Sequence, residues 1–210
     1  MDNTIIAAII GIAGSLIGSV VGGWMTRSAS ITATNKAFEL SRTLRARARL
    51  ENLRRVLLGM RTELSVAFEN YTSAYGAAIE NHEPGTAFRY FYPIDDSGFA
   101  FYQNNNAALG DLPDDDLREL IIKCYLQTQV ILNTHRLNNE MLEALERYYS
   151  MLTAGHANQL PMMISEKEEA LNAYGDAFVF NYKNAAALVN DTLPRIDKAV
   201  GDIDSELAER

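Results

Sequence analysis

Residues 4–26 contain neither a charged side chain nor a proline. As a helix rising about 1.5 Å per residue, the run is roughly 34 Å long, enough to cross the hydrocarbon core of a bilayer. Its residues are also sorted by size. At about 100° per residue, Ala7, Ala8, Gly11, Gly14, Ser15, Gly18, Ser19 and Gly22 share one half of the circumference. Ile5, Ile6, Ile9, Ile10, Ile12, Leu16, Ile17, Val20 and Val21 share the other, with Ala13 and Gly23 as the exceptions. Lipid requires no such sorting, whereas a neighbouring helix does, because small residues let two backbones approach closely. The pattern predicts a transmembrane anchor that self-associates through Ala7, Gly11, Gly14, Ser15, Gly18, Ser19 and Gly22. A narrow row of small residues serves a dimer. A half-circumference reaches two neighbours at once, as a ring requires.

The flanking charges predict an orientation. Met1, Asp2 and Asn3 precede the run, so it lacks the basic leader of a secretory signal peptide. Arg27, Lys36, Arg42, Arg45, Arg47 and Arg49 follow it, and Lys/Arg excess marks the cytoplasmic side. The expectation is an N-terminus outside, Trp24 at the inner interface, and the bulk of the chain in the cytoplasm. The same six basic side chains are the candidate contacts to anionic lipid headgroups, each contributing about 1 kcal/mol when close to the surface.

The net charge of −8 conceals a division. Residues 27–61 hold nine Lys/Arg against Glu39 and Glu51, whereas residues 62–210 hold ten against 24 Asp/Glu. That acidic remainder is repelled by nucleic acid and by an anionic membrane, which points to lipid at the basic collar and to protein partners beyond it. The single cysteine, Cys124, allows no internal disulfide and reads as a small core residue.

Beyond the anchor the periodicity is helical. Leu53, Leu57, Met60, Leu64, Ala67, Tyr71, Ala74 and Ala78 form one seam, and Glu83-Pro84-Gly85 ends it. Residues 28–37, rich in Ser, Thr and Ala, read as a frayed joint. Residues 84–113 are irregular and hold seven of the nineteen aromatics, all between 88 and 102; residues 99–109 suit a short helix stopping at Gly110. Pro113 and Asp114-Asp115-Asp116 open the next helix, whose apolar face runs from Leu117 to about Leu152. After a turn at residues 155–160, Pro161 starts a last helix that Pro194 should kink or break. No strand-like alternation occurs. The predicted fold is all-α: an anchor over residues 1–27, a basic juxtamembrane helix over 28–52, and an antiparallel bundle of three long helices within 53–210.

No catalytic constellation can be assembled, and neither a cofactor nor a metal site is expected. His82, His135 and His156 form no metal-ligand spacing, and phosphate-loop and nucleophile-elbow motifs are absent. Arg147 and His156 are too far apart for the Arg-spacer-His signature of HEPN-type ribonucleases. Asp95-Asp96 and Asp114-Asp115-Asp116 read as solvated turn and cap acids, and Glu166, Glu168 and Glu169 as first-turn acids of the last helix. Asn138, Asn139 and Asn181 admit two readings, as helix-edge residues or as buried polar contacts that set helix register.

The run Tyr90-Phe91-Tyr92-Pro93-Ile94-Asp95-Asp96, the asparagines at 104–106, and Leu109-Gly110-Asp111-Leu112-Pro113 followed by Leu117, Leu120-Ile121-Ile122 and Tyr125 resemble a pattern in small bacterial proteins. These join an N-terminal membrane span to a cytoplasmic helical domain. Membrane effectors of prophage and antiviral defence share the plan, including CRISPR-associated proteins that form rings and permeabilise the inner membrane. The resemblance implies a non-enzymatic, oligomeric protein of the bacterial inner membrane acting as a pore-type effector. The alternative is a tethered scaffold or regulator that contacts a cytoplasmic protein through Phe88, Tyr90, Phe91, Tyr92, Phe99 and Tyr102.

Overall fold

A computed structural model describes residues 3–93, 99–154 and 160–209, with the side chains of residues 3–22, 26, 28 and 29 outside that description. The described residues are mostly helical and contain no strand. They form α1 (Asn3–Tyr71), a π-helical turn (Thr72–Gly76), α2 (Ala77–Glu80), α3 (Ala100–Asn105), a 3-10 turn (Asn106–Asp111), α4 (Asp115–Thr153) and α5 (Leu160–Glu209). Contacts divide the chain into two units, Met1–Arg49 and Leu50–Arg210.

The first unit is the N-terminal part of α1. Residues 28–37 are helical, which corrects the expected frayed joint. Serine and threonine cost only tenths of a kcal/mol per helical position, and the Thr34 hydroxyl donates back to the Ser30 carbonyl at 2.9 Å. Arg27, Lys36, Arg42, Arg45, Arg47 and Arg49 are exposed, as are Trp24, Phe38, Leu40 and Leu44. Among the described residues no helix is long and apolar enough to cross a membrane. Ala7, Gly11, Gly14, Ser15, Gly18, Ser19 and Gly22 lie outside the described side chains.

The second unit is a bundle whose pairings give the helix directions. Arg54 pairs with Asp204 and Arg61 with Asp197, so seven residues forward along α1 match seven backward along α5. On α4, Gln127 reaches the Asn181 carbonyl and Tyr149 reaches Glu168, so α5 is antiparallel to α4 as well. Tyr125 bonds the Met60 carbonyl and His135 meets Tyr71, which makes α1 and α4 parallel to each other. The antiparallel expectation therefore holds for α5 alone. Residues 84–93 and 99–113 are the reason: the first stretch packs at the level of Tyr71 and the second at that of Leu53, and together they occupy the place of a fourth element.

The core follows the predicted seams. Leu53, Leu57, Met60 and Leu64 meet Leu117, Ile121 and Cys124 of α4 and Val189, Ile196 and Val200 of α5. Ala74 is exposed, because the π turn after Tyr71 advances the seam and buries Gly76 and Ile79 instead. Tyr149 and Leu152 are exposed at the far end of α4. The Asp114 side chain caps α4, accepting from the Leu117 amide at 2.9 Å. Pro194 does not end α5, which continues to Glu209 with Thr192, Ile196 and Val200 buried on both sides of it. Packing there outweighs the backbone hydrogen bond that proline removes. Glu166, Glu168 and Glu169 lie beyond the first turn of α5, whose start at Leu160 holds no acid. The turn residues 155–159 and His156 fall outside the described residues.

Candidate functional site

Residues 84–93 and 99–112 are anchored at three levels by side chains from α1, the π turn, α4 and α5. At the first level, Gly85 adopts φ 74°, a left-handed conformation that costs glycine little, and its amide donates to Asp176 at 3.1 Å. The segment then passes close to α5. A Cβ on Gly175 would lie 2.0 Å from the Thr86 carbonyl, so no larger residue fits the crossing. Phe88 is buried here and stacks on Phe178 with ring centroids 4.5 Å apart.

Asparagines hold the next stretch. The Asn139 side chain accepts from the Tyr92 amide at 3.2 Å and donates to the Tyr92 carbonyl at 2.6 Å, as a neighbouring strand would. Asn138 donates to the Tyr90 carbonyl at 3.2 Å, and the Tyr75 hydroxyl donates to the Phe91 carbonyl at 3.1 Å. Asn181 donates to the Thr134 hydroxyl, tying α5 to α4. Of the two readings, the structure selects buried polar contact for Asn138 and Asn139. The three carbonyls of residues 90–92 and the Tyr92 amide are thereby paired, while Tyr90 and Phe91 are exposed.

Beneath this stretch lies His135, fully buried among Tyr71, Tyr75, Phe88, Tyr92 and Phe178. Its Nε2 is 2.8 Å from the Tyr71 hydroxyl, and its Nδ1 has no partner. Whichever tautomer forms, one hydrogen of this pair lacks an acceptor. Burial without a counter-charge pushes the imidazole down to about 4, so it is neutral at pH 7. Burial likewise raises the Tyr71 hydroxyl far above the usual tyrosine range.

At the second level, Phe99 takes φ 63°, unusual for a bulky residue, and buries its ring edge-on against Tyr125 at 5.3 Å. The Glu63 carboxylate accepts from the Phe101 and Tyr102 amides at 2.8 and 3.0 Å and from the Tyr125 hydroxyl at 3.0 Å. It thus caps α3 from a different helix. The ring of Tyr102 stacks on Tyr125 at 3.8 Å. Sequence reasoning missed Glu63; its signal was an acid beside the apolar seam with no base three or four residues away. At the third level, Leu109 and Leu112 enter the core, and Arg118 bonds both of their carbonyls.

The six proposed aromatic contacts therefore divide. Phe88 and Phe99 are core residues, Tyr92 and Tyr102 are half-buried against α4, and Tyr90 and Phe91 are exposed, Tyr90 with its ring centroid 5.0 Å from that of Phe88. Asp95 and Asp96 fall outside the described residues. Cys124 is buried, and burial lifts its thiol to about 11, too high for a ready nucleophile. Among the described residues, no three His, Cys, Asp or Glu side chains converge on a point that would hold a metal ion.

No protein-family model matches the chain, and comparison with curated proteins and with solved structures likewise gives no match.

Proposed function

We propose that this chain is a non-enzymatic, single-pass protein of the bacterial inner membrane, anchored by residues 4–26 with its N-terminus outside and its bundle in the cytoplasm. Copies gather through the small-residue face, and the assembled spans perturb the bilayer as a pore-type effector of antiviral or prophage defence. The observation that carries this reading is the sorting of the charge-free run into a glycine, alanine and serine face and an isoleucine, leucine and valine face. The exposed Arg27, Lys36, Arg42, Arg45, Arg47 and Arg49 support it as contacts to anionic headgroups. Ser15 and Ser19, with Thr4 and Thr26 at the two ends, are the polar side chains on that face, so the lesion is narrow, passing ions before larger solutes. Full-length protein reconstituted in liposomes should release a small trapped dye, and Gly18→Leu should abolish release. Intact liposomes at every protein density would refute the effector reading.

A second reading makes the bundle a tethered scaffold or regulator. The exposed Tyr90 and Phe91 favour it, because the polar contacts to residues 90–92 hold both rings in place before any partner arrives. A stoichiometric cytoplasmic partner should then co-purify and be lost in the double substitution Tyr90→Ala, Phe91→Ala. Neither reading involves nucleic acid, a metal or a cofactor.

A further inference from the structure

One end of the bundle holds a groove of about 430 Å³ that nothing described so far uses. Its floor is apolar, formed by Leu53, Leu112, Ala199 and Ile203. One lip is the entry to α4, where Asp111, Asp114, Asp115 and Asp116 are all exposed and Arg118 answers Asp115 alone. The other lip is α5. Its bases are already engaged, Arg195 with Asp191 at 3.1 Å and Lys198 with Asp202 at 3.0 Å. The groove is therefore apolar within and acidic at its α4 lip, on a unit whose 13 Lys/Arg face 25 Asp/Glu. Its complement is a helix with two apolar anchors one turn apart, flanked by basic side chains.

The chain itself carries such a helix. Residues 36–49 hold five Lys/Arg against Glu39 alone. Leu40 and Leu44 are 61% and 58% exposed there and sit on one face with Ala33 and Ala37, which are small enough for close approach. Lys36 and Arg47 border that face on one side. We infer that the groove takes the segment 36–47 of a second copy, Leu40 and Leu44 filling its floor while the bordering bases face the acidic entry to α4. Such a contact joins two different surfaces of the same chain, so copies assemble head to tail, as an open row or a closed ring. It stands apart from the small-residue face of residues 4–26 and holds whether or not that face is an interface. Opposite charges also steer the encounter, which makes assembly sensitive to salt.

The test uses two differently tagged populations of the full-length protein in detergent, one with Leu44→Cys and one with Lys198→Cys. Both sites are exposed, so the bundle should unfold at its wild-type temperature. On oxidation the mixture should give a cross-linked pair at least about tenfold more abundant than with Phe38→Cys, which lies on the opposite face. Leu40→Asp, or a rise in salt to about 0.5 M, should reduce it by a similar factor. Gly18→Leu in both populations should leave it unchanged, which separates this contact from the membrane-spanning face. Equal yields from Phe38→Cys and Leu44→Cys would overturn the inference. So would no cross-link at any concentration, or one formed solely within a chain bearing both cysteines.

Discussion

Two side chains on α4 decide how the aromatic segment is held, and they do so in opposite ways. Asn139 satisfies both backbone groups of Tyr92, so Asn139→Leu leaves an amide and a carbonyl to compete for water at a half-buried site. The expected loss is about 2–3 kcal/mol in urea unfolding, with faster amide exchange at residues 90–92. His135 acts through what it lacks. The groups facing it from α1, the aromatic segment and α5 are Tyr71, Tyr75, Phe88, Tyr92 and Phe178, none of them charged near neutral pH. Its folded value of about 4 lies below the usual 6.5, so between these values the unfolded chain binds the extra proton. Its contribution is complete above pH 6.5 and fades as pH falls toward 4, at up to about 1.4 kcal/mol per pH unit. Urea midpoints measured from pH 7 to 4.5 should show that slope, and His135→Phe should flatten it. The sequence marks Asn138, Asn139 and His135 only as polar residues on an apolar stripe. Whether such a residue is buried with a partner depends on a backbone more than forty positions away.

At the scale of elements, the helices were legible because their apolar positions recur every three or four residues and their ends carry caps. Asp114, just after Pro113, stands where the start of α4 needs it, whereas the helix before the aromatic segment ends at Glu80, ahead of the expected stop at 83–85. The misreadings came from local signals that packing overrides. Pro194 costs α5 one hydrogen bond, but the helix is buried on both sides of it. The π turn at Thr72–Gly76 shifted the seam of α1 past Ala74, and no propensity announces an inserted residue. Two glycines of α5 separate packing from propensity. Gly175→Ala would drive a Cβ to 2.0 Å from the Thr86 carbonyl, a backbone atom that cannot step aside. We expect a loss of about 1–3 kcal/mol and loosening of residues 84–88 in amide exchange. Gly201 has nothing within 4 Å of such a Cβ, so Gly201→Ala should gain about 0.5–1 kcal/mol in the same unfolding assay.

At the scale of the whole molecule, charge and apolarity are distributed along the chain in order: a neutral size-sorted run, a basic helix, then an acidic bundle. In the function proposed above, the first two stretches meet lipid or another copy. Native mass measurement of the full-length protein in detergent should find defined oligomers. Gly18→Leu should remove the assembly made through the small-residue face, whereas Leu40→Asp should remove only the salt-sensitive one. A monomer under every condition would leave neither interface standing.

By itself the sequence determined what is periodic or local: the all-α class, the seams of the three long helices, their caps and the placement of charge. These follow from near-neighbour geometry, since a helix brings together residues three and four apart. Only the tertiary structure decided that α1 and α4 run parallel, that residues 84–93 and 99–113 fill a fourth position, and that Glu63 and Asn139 bind backbone from elsewhere. Those contacts join residues some forty positions apart, and no local pattern encodes which distant amide a buried carboxylate or amide side chain will meet.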